Sequence, residues 1–510
     1  MRNRKALFSF IMLLILGQSI LLQGCAADEG MTGSEAAGQE TEAAAQTETG
    51  EELPAEDLAP VEAAEPLTVY FVNESGHYLE ALQDYKAKYG LDIVNFKSYE
   101  ELLKRYDEEK TAGSKTADVL ILKPIDDIHK YFDNHNYSEA VREKADQLWE
   151  GSYLSYFHKS VRAGEFGDLT PFMEADAGFV RSDYIESVLD GGKVNGKQYV
   201  LPFEFTSNSC IVMDKLTDRT GELGFDKLDF AGMAKTLISL RETDEAAYPE
   251  NVLLEVAGLG ERVNFQISEM LRISGIDIVD YDNKSVCLDK DELSLLFELM
   301  YPVYAEGEAG KSKELAYKYY HDAATSIQIF LIHMSNNYAA ETFRAWEINS
   351  ALFDCGIKMY SIADFDGDYQ AVIQKYGVMN ADSNKKEEAY RLLKHLLDYS
   401  CVTSVNVLSS TNQRQHACVN KEHFNQTLFS LINQNKRIIQ MEEYTVPLMS
   451  DEVRTIIQQH YDNLNEAVIP DSNVELIVHE TMRPCLDDPA LFDSAYEELV
   501  KRLEAYLAAE

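Results

Sequence analysis

The sequence predicts an α/β fold in which a mainly parallel sheet is flanked by helices. From residue 67 onward, short apolar runs alternate with runs of helical periodicity, in the order strand, helix, strand, helix, strand. This alternation is typical of parallel sheets, because each parallel connection has to cross one face of the sheet. The chain has 510 residues, which is enough for two or three domains with large cores.

The carboxyl ends of the first strands supply the first candidate site residues. Strands are predicted at 67–72, 91–96 and 117–122. Helices are predicted between them, and Ser98 with Glu101 forms a capping box at the start of the second helix. Ligands of such sheets bind beyond the carboxyl ends of the strands. Asn73, Glu74 and Lys123 follow those ends.

A third landmark is the stretch from Lys193 to Thr206. Asn195 and Gly196 predict a tight hairpin turn, since both residues tolerate a positive φ. A strand at 198–201 is followed by Pro202, which has no N–H to donate and is expected to interrupt the strand before it resumes at 210–213. Two interpretations remain open from this pattern alone, an ordinary hairpin edge and a crossing between two lobes.

Further elements are predicted along the remaining chain. Residues 124–148 are polar and mostly helical, and look like an insertion. Extended segments are expected at 358–362 and 376–379, a turn at 364–368, and a strand or a buried helix at 326–334. Amphipathic helices are expected at 230–240, within 251–274, and at 293–305, 384–399 and 491–508.

Charge and motifs exclude several classes of function. The formal net charge is −41, which disfavours binding to nucleic acid and to anionic lipid surfaces. The sequence contains no P-loop, GxGxxG, HExxH or GxSxG motif. We therefore predict no cofactor, no metal and no catalysis. Carboxylates are so abundant that a glycosidase pair stays open as an alternative.

The N-terminal residues resemble the export signal of bacterial lipoproteins. Arg2, Arg4 and Lys5 precede an apolar run at 7–22, and residues 22–25 read LQGC, similar to a lipobox. The resemblance implies that residues 1–24 are a signal peptide and that Cys25 carries diacylglycerol; the alternative is an uncleaved signal anchor. Residues 26–66 contain twelve acidic residues and no Lys or Arg. We expect residues 25–66 to be a lipidated, disordered tether.

The other six cysteines lie far apart and lack metal-ligand spacing. Disulfides are permitted in an exported protein, but this spacing does not imply them.

Several motifs, in a fixed order, resemble the extracellular solute-binding proteins of ABC importers, family 1, the maltose-binding-like carbohydrate group. Residues 168–171 read DLTP, 196–202 read GKQYVLP, 376–389 read YGVMNADSNKKEEA and 502–507 read RLEAYL. The second is similar to the family's G-K-x-Y-G-[IL]-P, with Val200 in place of glycine. The resemblance extends from about residue 67 to the C-terminus.

The resemblance implies a two-lobed periplasmic-binding-protein fold of type II. Lobe 1 would comprise residues 67–203 and about 363–436, and lobe 2 residues 209–357 and about 437–510. The protein would be a monomeric, lipid-anchored receptor on the outer face of a cell membrane, Gram-positive rather than periplasmic. It would capture a sugar or oligosaccharide and deliver it to ABC permease subunits. The alternatives are a lipid-anchored enzyme and a receptor of the same fold for a peptide or another solute.

Sugar recognition needs aromatic faces and planar polar groups. Four of the candidates have a competing structural interpretation: Phe205 as a core residue, Glu204 as a solvated hinge charge, and Asn73 and Glu74 as residues of a helix N-terminal turn. The full set of candidate ligand-binding residues is Asn73, Glu74, Glu150, Tyr153, Glu204, Phe205, Thr206, Asn208 and Trp346.

Overall fold

The strands and helices are taken from a computed structural model. It describes residues 65–73, 77–124, 156–214, 224, 227–243, 252–256, 266–308, 327–334, 356–399, 417–422, 424, 436–439, 442–445 and 451–509. The predicted insertion at 124–148 and the lipidation site Cys25 lie outside these residues, apart from Pro124.

Sixteen strands occur in the described part of the chain. They are β1 (Leu67–Val72), β2 (Leu91–Phe96), β3 (Val119–Leu122), β4 (Lys193–Val194), β5 (Lys197–Gln198), β6 (Val200–Asp214), β7 (Val252–Val256), β8 (Val279–Asp280), β9 (Ser285–Val286), β10 (Ile327–Met334), β11 (Gly356–Ser361), β12 (Gln370–Met379), β13 (Ala417–Cys418), β14 (Lys436–Ile439), β15 (Glu442–Thr445) and β16 (Glu466–Val468).

The α-helices of the same residues follow the chain in order. They are α1 (His77–Tyr89), α2 (Tyr99–Thr111), α3 (Tyr156–Arg162), α4 (Thr170–Ala175), α5 (Glu186–Asp190), α6 (Phe230–Thr243), α7 (Gln266–Ser274), α8 (Lys290–Glu308), α9 (Lys386–Tyr399), α10 (Asp451–Asp462), α11 (Ser472–Met482), α12 (Pro484–Asp487) and α13 (Phe492–Ala509).

Local sequence signals give rise to the first elements as predicted. The Ser98 hydroxyl accepts from the Glu101 N–H and caps α2, which is one half of a capping box. The turn between β4 and β5 has φ values of 50° at Asn195 and 76° at Gly196, as a two-residue hairpin turn requires. The segment 252–256 forms a strand, so the helix predicted within 251–274 begins later, at Gln266.

The expectation that Pro202 interrupts its strand is wrong. β6 runs without a break from Val200 to Asp214. Pro202 pairs with Tyr376 of β12, and the next pair joins Glu204 to Lys375, so the register slips beside the proline. Such an irregularity accommodates a residue that has no N–H to donate.

The main sheet is mixed and is organised around β6. Its strand order is β2-β1-β3-β12-β6-β10-β7, and β11 and β13 also pair with β6, while β16 pairs with β12. β1 is parallel to β2 and β3, and β7 is parallel to β10. β6 is antiparallel to each of its described neighbours, so this long strand links two groups of parallel strands.

Two separate hydrophobic cores lie along this sheet. The first core includes β1 to β3, the start of β6, β12 and α9, with Leu82, Phe203 and Leu393 fully buried. The second core is built from α6, α7, α8, α11 and α13, with Phe230, Leu296 and Leu503 fully buried. Tyr461, Leu464 and Ile469 belong to the first core, although they fall in the range predicted for lobe 2. The lobe boundaries themselves stay a prediction.

A buried hydrogen-bond chain joins three segments, β6, β11 and α10, near the places where the described part of the chain passes from one core to the other. Ser207 of β6 lies 2.8 Å from His460 of α10 (Oγ to Nε2), and the His460 Nδ1 lies 2.8 Å from the Ser361 Oγ at the end of β11. Ser207 is 0% exposed and His460 is 1% exposed. Burial lowers the pKa of His460 to about 4, so this imidazole is neutral at pH 7.

The motif at 380–385 has a structural role, as an anchor for the start of the sheet. The buried Asp118 carboxylate accepts from the Thr68 N–H at 2.9 Å and from the Ser383 hydroxyl at 2.7 Å. The Lys385 ammonium lies 3.7 Å from the same carboxylate and donates to the Pro66 carbonyl at 3.0 Å. These contacts fix β1, β3 and the segment after β12 to one another.

Cys418 is disulfide-bonded, whereas Cys287 and Cys485 are free thiols. The cysteine spacing did not reveal which of these residues is paired.

We expect Asp118→Ala to lower the free energy of unfolding by about 3 kcal/mol, because it leaves buried donors and a lysine without their shared acceptor. Asp289→Ala is the matched control. Asp289 accepts from the N–H groups of Asp291 and Glu292 but is exposed, so its loss should cost about 1 kcal/mol. Urea denaturation of both variants measures the difference, and equal losses would show that the anchor adds nothing beyond a helix cap.

A second prediction concerns the pH dependence of stability. The pKa of His460 is about 4 in the folded chain and about 6.5 when unfolded. The contribution of neutral His460 to the free energy of unfolding is therefore fully present above pH 6.5 and is lost as the pH falls toward 4. When the pH is lowered from 7.5 to 5, the titration of His460 should lower the free energy of unfolding by about 2 kcal/mol.

His460→Gln keeps one hydrogen-bond donor and one acceptor but does not titrate, so its stability should fall by that much less over the same pH range. Urea denaturation of both proteins at the two pH values gives the comparison. Burial also lowers the pKa of His479 to about 4. Because His479 is present in both proteins, its contribution cancels in the difference between them. Identical pH dependence in the two proteins would contradict the assignment.

Candidate functional site

The parallel strands of both cores direct their carboxyl ends at one short segment of β6. β3 runs in the same direction as β6, and its last residue, Leu122, lies across β12 from Pro202 through their common partner Tyr376. β10 runs in the opposite direction, and its last residue, Met334, pairs with Ser207. Residues 202–207 therefore lie where the carboxyl ends of the two groups of strands meet, the position at which open α/β sheets bind ligands.

The pairing of β6 changes along both of its edges within this segment. On one edge its partner changes from β12, which ends its pairing at Ser207, to β11, which begins at Ser209. On the other edge the partner changes from β13, at Glu204 and Phe205, to β10, which begins at Ser207. The backbone is thus held by one core before Ser207 and by the other core after it. We call residues 204–208 the crossing segment.

A buried polar cluster lies at the first-core end of the crossing segment. The Tyr78 hydroxyl, from the first turn of α1, donates to the Glu204 carboxylate at 2.8 Å. Lys375 is opposite Glu204 in the register of β12 and β6, and its ammonium lies 4.8 Å from the centroid of the Tyr78 ring. Glu204 is 4% exposed and Lys375 is 5% exposed. The Tyr78 side chain therefore contacts both the carboxylate and the ammonium, and each contact offsets part of the cost of burying a polar group.

A second pair of a tyrosine and a lysine lies at the same end of the sheet, where the parallel strands have their carboxyl ends. The Lys123 ammonium, just beyond β3, lies 5.3 Å from the centroid of the Tyr99 ring at the start of α2. Asn73, just beyond β1, is exposed, and its backbone N–H donates to the Asn95 side chain at 3.1 Å. This end of the sheet therefore carries amide, ammonium, phenol and carboxylate groups, which can form hydrogen bonds with a ligand rich in hydroxyls.

Further along the crossing segment, two candidate side chains have internal contacts. The Thr206 hydroxyl accepts from the Gln374 amide at 3.1 Å, and Thr206 is 5% exposed. Phe205 is fully buried and packs edge-on against Tyr461, with ring centroids 6.0 Å apart. Phe205 is therefore a residue of the first core, as the competing interpretation allows.

Ser207 and His460 are as close as a catalytic nucleophile and its general base, but they lack the access to substrate and the carboxylate partner of a catalytic pair. Both are buried, and the second nitrogen of His460 contacts the Ser361 hydroxyl rather than a carboxylate. A buried hydroxyl cannot reach a substrate in this arrangement, so the pair acts as a structural link. Among the described residues, no three His, Cys, Asp or Glu side chains are grouped to hold a metal ion.

Several candidates lie outside the described residues or are described only in part. Glu74, Glu150, Tyr153 and Trp346 are outside them, and of Asn208 only the backbone is described, paired with His333 in β10. The ligand-binding role of the whole predicted set stays a prediction. Of its members, the structure brings Glu204 and Thr206 together on the crossing segment and places Asn73 beyond β1.

Two residues of this site were missed in the sequence. Tyr78 reads as one more apolar residue of a helix, and its contact with Glu204 spans 126 residues. Lys375 had a usable signal, because it is the one charged residue in the ten residues of β12, each of which is buried. A lysine inside such a strand requires a buried partner, and Glu204 is flanked by two phenylalanines in the same way.

No helix in the described part of the chain combines the length and the apolar character needed to cross a membrane.

Comparison with known proteins gives a result for structure but not for sequence. No protein-family model and no curated protein matches the chain. The structure is similar to the sugar-binding protein MalE from Xanthomonas citri, with 13% sequence identity and a TM-score of 0.53, covering 87% of this chain and 98% of that one.

Two further solved structures resemble the chain less closely. An extracellular solute-binding protein of family 1 from Alicyclobacillus acidocaldarius has 10% identity and a TM-score of 0.46, with 87% of this chain and 100% of that one covered. An ABC substrate-binding protein from Listeria monocytogenes, solved with cycloalternan, has 12% identity and a TM-score of 0.46, with coverage of 87% and 99%. The match to MalE over nearly its full length, with the mixed sheet and two helical cores, shows that the chain has the periplasmic-binding-protein fold predicted from its sequence.

Proposed function

We propose that this protein is a lipid-anchored receptor outside the cytoplasm, which captures a sugar or oligosaccharide between its two cores and delivers it to ABC permease subunits. The observation that supports this most directly is the meeting of both groups of parallel strands at residues 202–207. A solute held there contacts both cores, so its binding energy favours whichever arrangement of the cores makes both sets of contacts.

The proposed substrate class follows from the chemistry of the edge and from one neighbour. Amide, phenol and charged groups that converge at a sheet edge suit the dense hydroxyls of a saccharide. The neighbour with the highest similarity reported above is a sugar-binding protein. Anchoring through Cys25, a position on the outer face of a Gram-positive membrane, a monomeric state and the absence of catalysis are further parts of the proposal, and they rest on the sequence.

Residue burial decides which substitution tests the site. Glu204 is buried and bonded to Tyr78, so its replacement would lower stability and affinity together. Asn73 is exposed, and its backbone N–H donates to the Asn95 side chain, a hydrogen bond that a substitution by alanine retains. Asn384 is an exposed asparagine beside Lys385, at the end of the sheet where β1 begins, and serves as the matched control.

We expect Asn73→Ala to raise the dissociation constant for the bound saccharide by about three- to tenfold, the effect of one lost neutral hydrogen bond. Asn384→Ala should leave it unchanged, and both variants should keep the unfolding free energy within about 0.5 kcal/mol of the parent. Native mass spectrometry of the purified full-length chain would first identify any co-purified molecule. Calorimetry with neutral mono-, di- and oligosaccharides would then give the constants.

Each result of this experiment bears on one part of the proposal. If no saccharide binds but a parallel panel of short peptides does, the fold is used for another solute and the sugar assignment is wrong. Turnover of chromogenic glycosides would instead favour the enzyme alternative. Equal affinities of the parent and Asn73→Ala would show that the Asn73 side chain, just beyond β1, does not contribute to ligand binding.

A further inference from the structure

The two cores also contact each other through side chains, at a short hairpin. The hairpin formed by β8 and β9 belongs to the second core, because Val279 and Val286 pack against it. Its turn carries Tyr281, whose ring projects onto α3. That helix belongs to the first core, in which Phe157 is 4% exposed.

Tyr281 is held firmly by its own core. Its hydroxyl donates to the Asp471 carboxylate, which also accepts from the Tyr506 hydroxyl of α13 at 3.0 Å. The other oxygen of Asp471 caps α11 by accepting from the N–H groups of Asn473 and Val474. Because the carboxylate is fixed by a helix start and a second tyrosine, the Tyr281 ring has a fixed orientation.

The first core grips the same ring with two side chains one helical turn apart. The His158 imidazole stacks on Tyr281, with centroids 4.1 Å apart and planes inclined by 13°. The Arg162 guanidinium lies 4.7 Å from the ring centroid. The His158 Nε2 is 3.2 Å from the Ile469 carbonyl, which fixes the imidazole against the first core. Stacking and cation–π contacts of this kind depend strongly on geometry and are lost when the groups separate.

The contact differs in kind from the other links between the cores. The strands of the crossing segment and the Ser207–His460–Ser361 chain lie at the point where the chain passes from one core to the other, so they can bend or rotate without parting. Tyr281 and α3 belong to different cores and are not adjacent along the chain, so a change in the relative angle of the cores would separate them. A neighbouring polar contact, from the Asn195 amide to the Asp282 carboxylate at 3.4 Å, joins the same hairpin turn to the turn between β4 and β5.

We propose that Tyr281 is a latch, which holds the two cores in the arrangement described here and releases α3 when the cores change their relative angle. This inference rests on the proposed function, since it assigns to the latch the regulation of that same site. A contact made in only one arrangement raises the population of that arrangement. Its loss therefore changes ligand affinity without any change in the residues that touch the ligand.

The test measures the distance between the cores in the full-length chain without any ligand. Tyr89, at the end of α1, is 66% exposed, and Leu491, just before α13, is 41% exposed, so each position accepts a spin label introduced through an unnatural amino acid. Double electron–electron resonance then gives the distribution of distances between the two labels.

Tyr281→Leu is expected to shift or broaden this distribution, because leucine provides neither the stacking surface nor the hydroxyl. Tyr281→Phe keeps the stacked ring and should have a smaller effect. Tyr496→Leu is the matched control: the Tyr496 hydroxyl donates to the Leu288 carbonyl and the Lys290 ammonium lies 5.5 Å from its ring centroid, all within the second core. Its distribution should coincide with that of the parent chain.

Coinciding distributions for Tyr281→Leu and the parent would overturn the proposal. If Tyr281→Leu does not fold, His158→Gln combined with Arg162→Gln removes the other half of the contact and is judged by the same criterion. Since no ligand is present, the outcome is independent of the sugar assignment. If Tyr281→Leu shifts the distribution but calorimetry finds no saccharide that binds, the latch stands and the sugar assignment is wrong. If calorimetry finds a saccharide that binds but the distribution is unchanged, the sugar assignment stands and the latch is wrong.

Discussion

The structure depends on one backbone constraint, the continuous pairing of β6 with both halves of the protein. Ser207 is the residue at which this pairing is transferred, since it is the last partner of β12 on one edge and the first partner of β10 on the other. A strand cannot leave a ladder without exposing its N–H and C=O groups, so neither core can move away from β6. A rotation about the crossing segment, where the partner strand changes on each edge of β6, would leave these ladders paired.

Polar side chains at that junction are a consequence of this constraint. Apolar side chains in place of Ser207, Ser361 and His460 would have to interdigitate with both cores, and any rotation would open a void. The hydroxyls of Ser207 and Ser361 need only stay within reach of His460. Hydrogen bonds through a hydroxyl tolerate small rotations, because the hydroxyl hydrogen reorients about the C–O bond. The buried chain therefore keeps the three segments together while the packing on either side remains intact.

The sequence predicts well those elements whose cause is local. The Asn195–Gly196 turn, the Ser98 cap and the alternation from β1 to β3 each follow from a few adjacent residues. The resumption of the strand after Pro202 was anticipated, but not its continuity, since a slip in register depends on β12, which is about 170 residues away. The contact of Tyr78 with Glu204 is likewise non-local. No window of sequence contains both partners of such contacts.

The candidate site shows why a residue in a binding region cannot be assigned to function from burial alone. Glu204 and Lys375 have opposite charges in a nearly dry environment, and an unpaired charge there would be costly. Their contacts with Tyr78 therefore stabilise the fold whether or not a ligand is bound. Both nevertheless sit at the end of the sheet toward which the parallel strands of the two cores point. The cluster of Glu204, Lys375 and Tyr78 thus stabilises the crossing segment, which is why the substitution of an exposed neighbour such as Asn73, rather than of Glu204, separates affinity from stability.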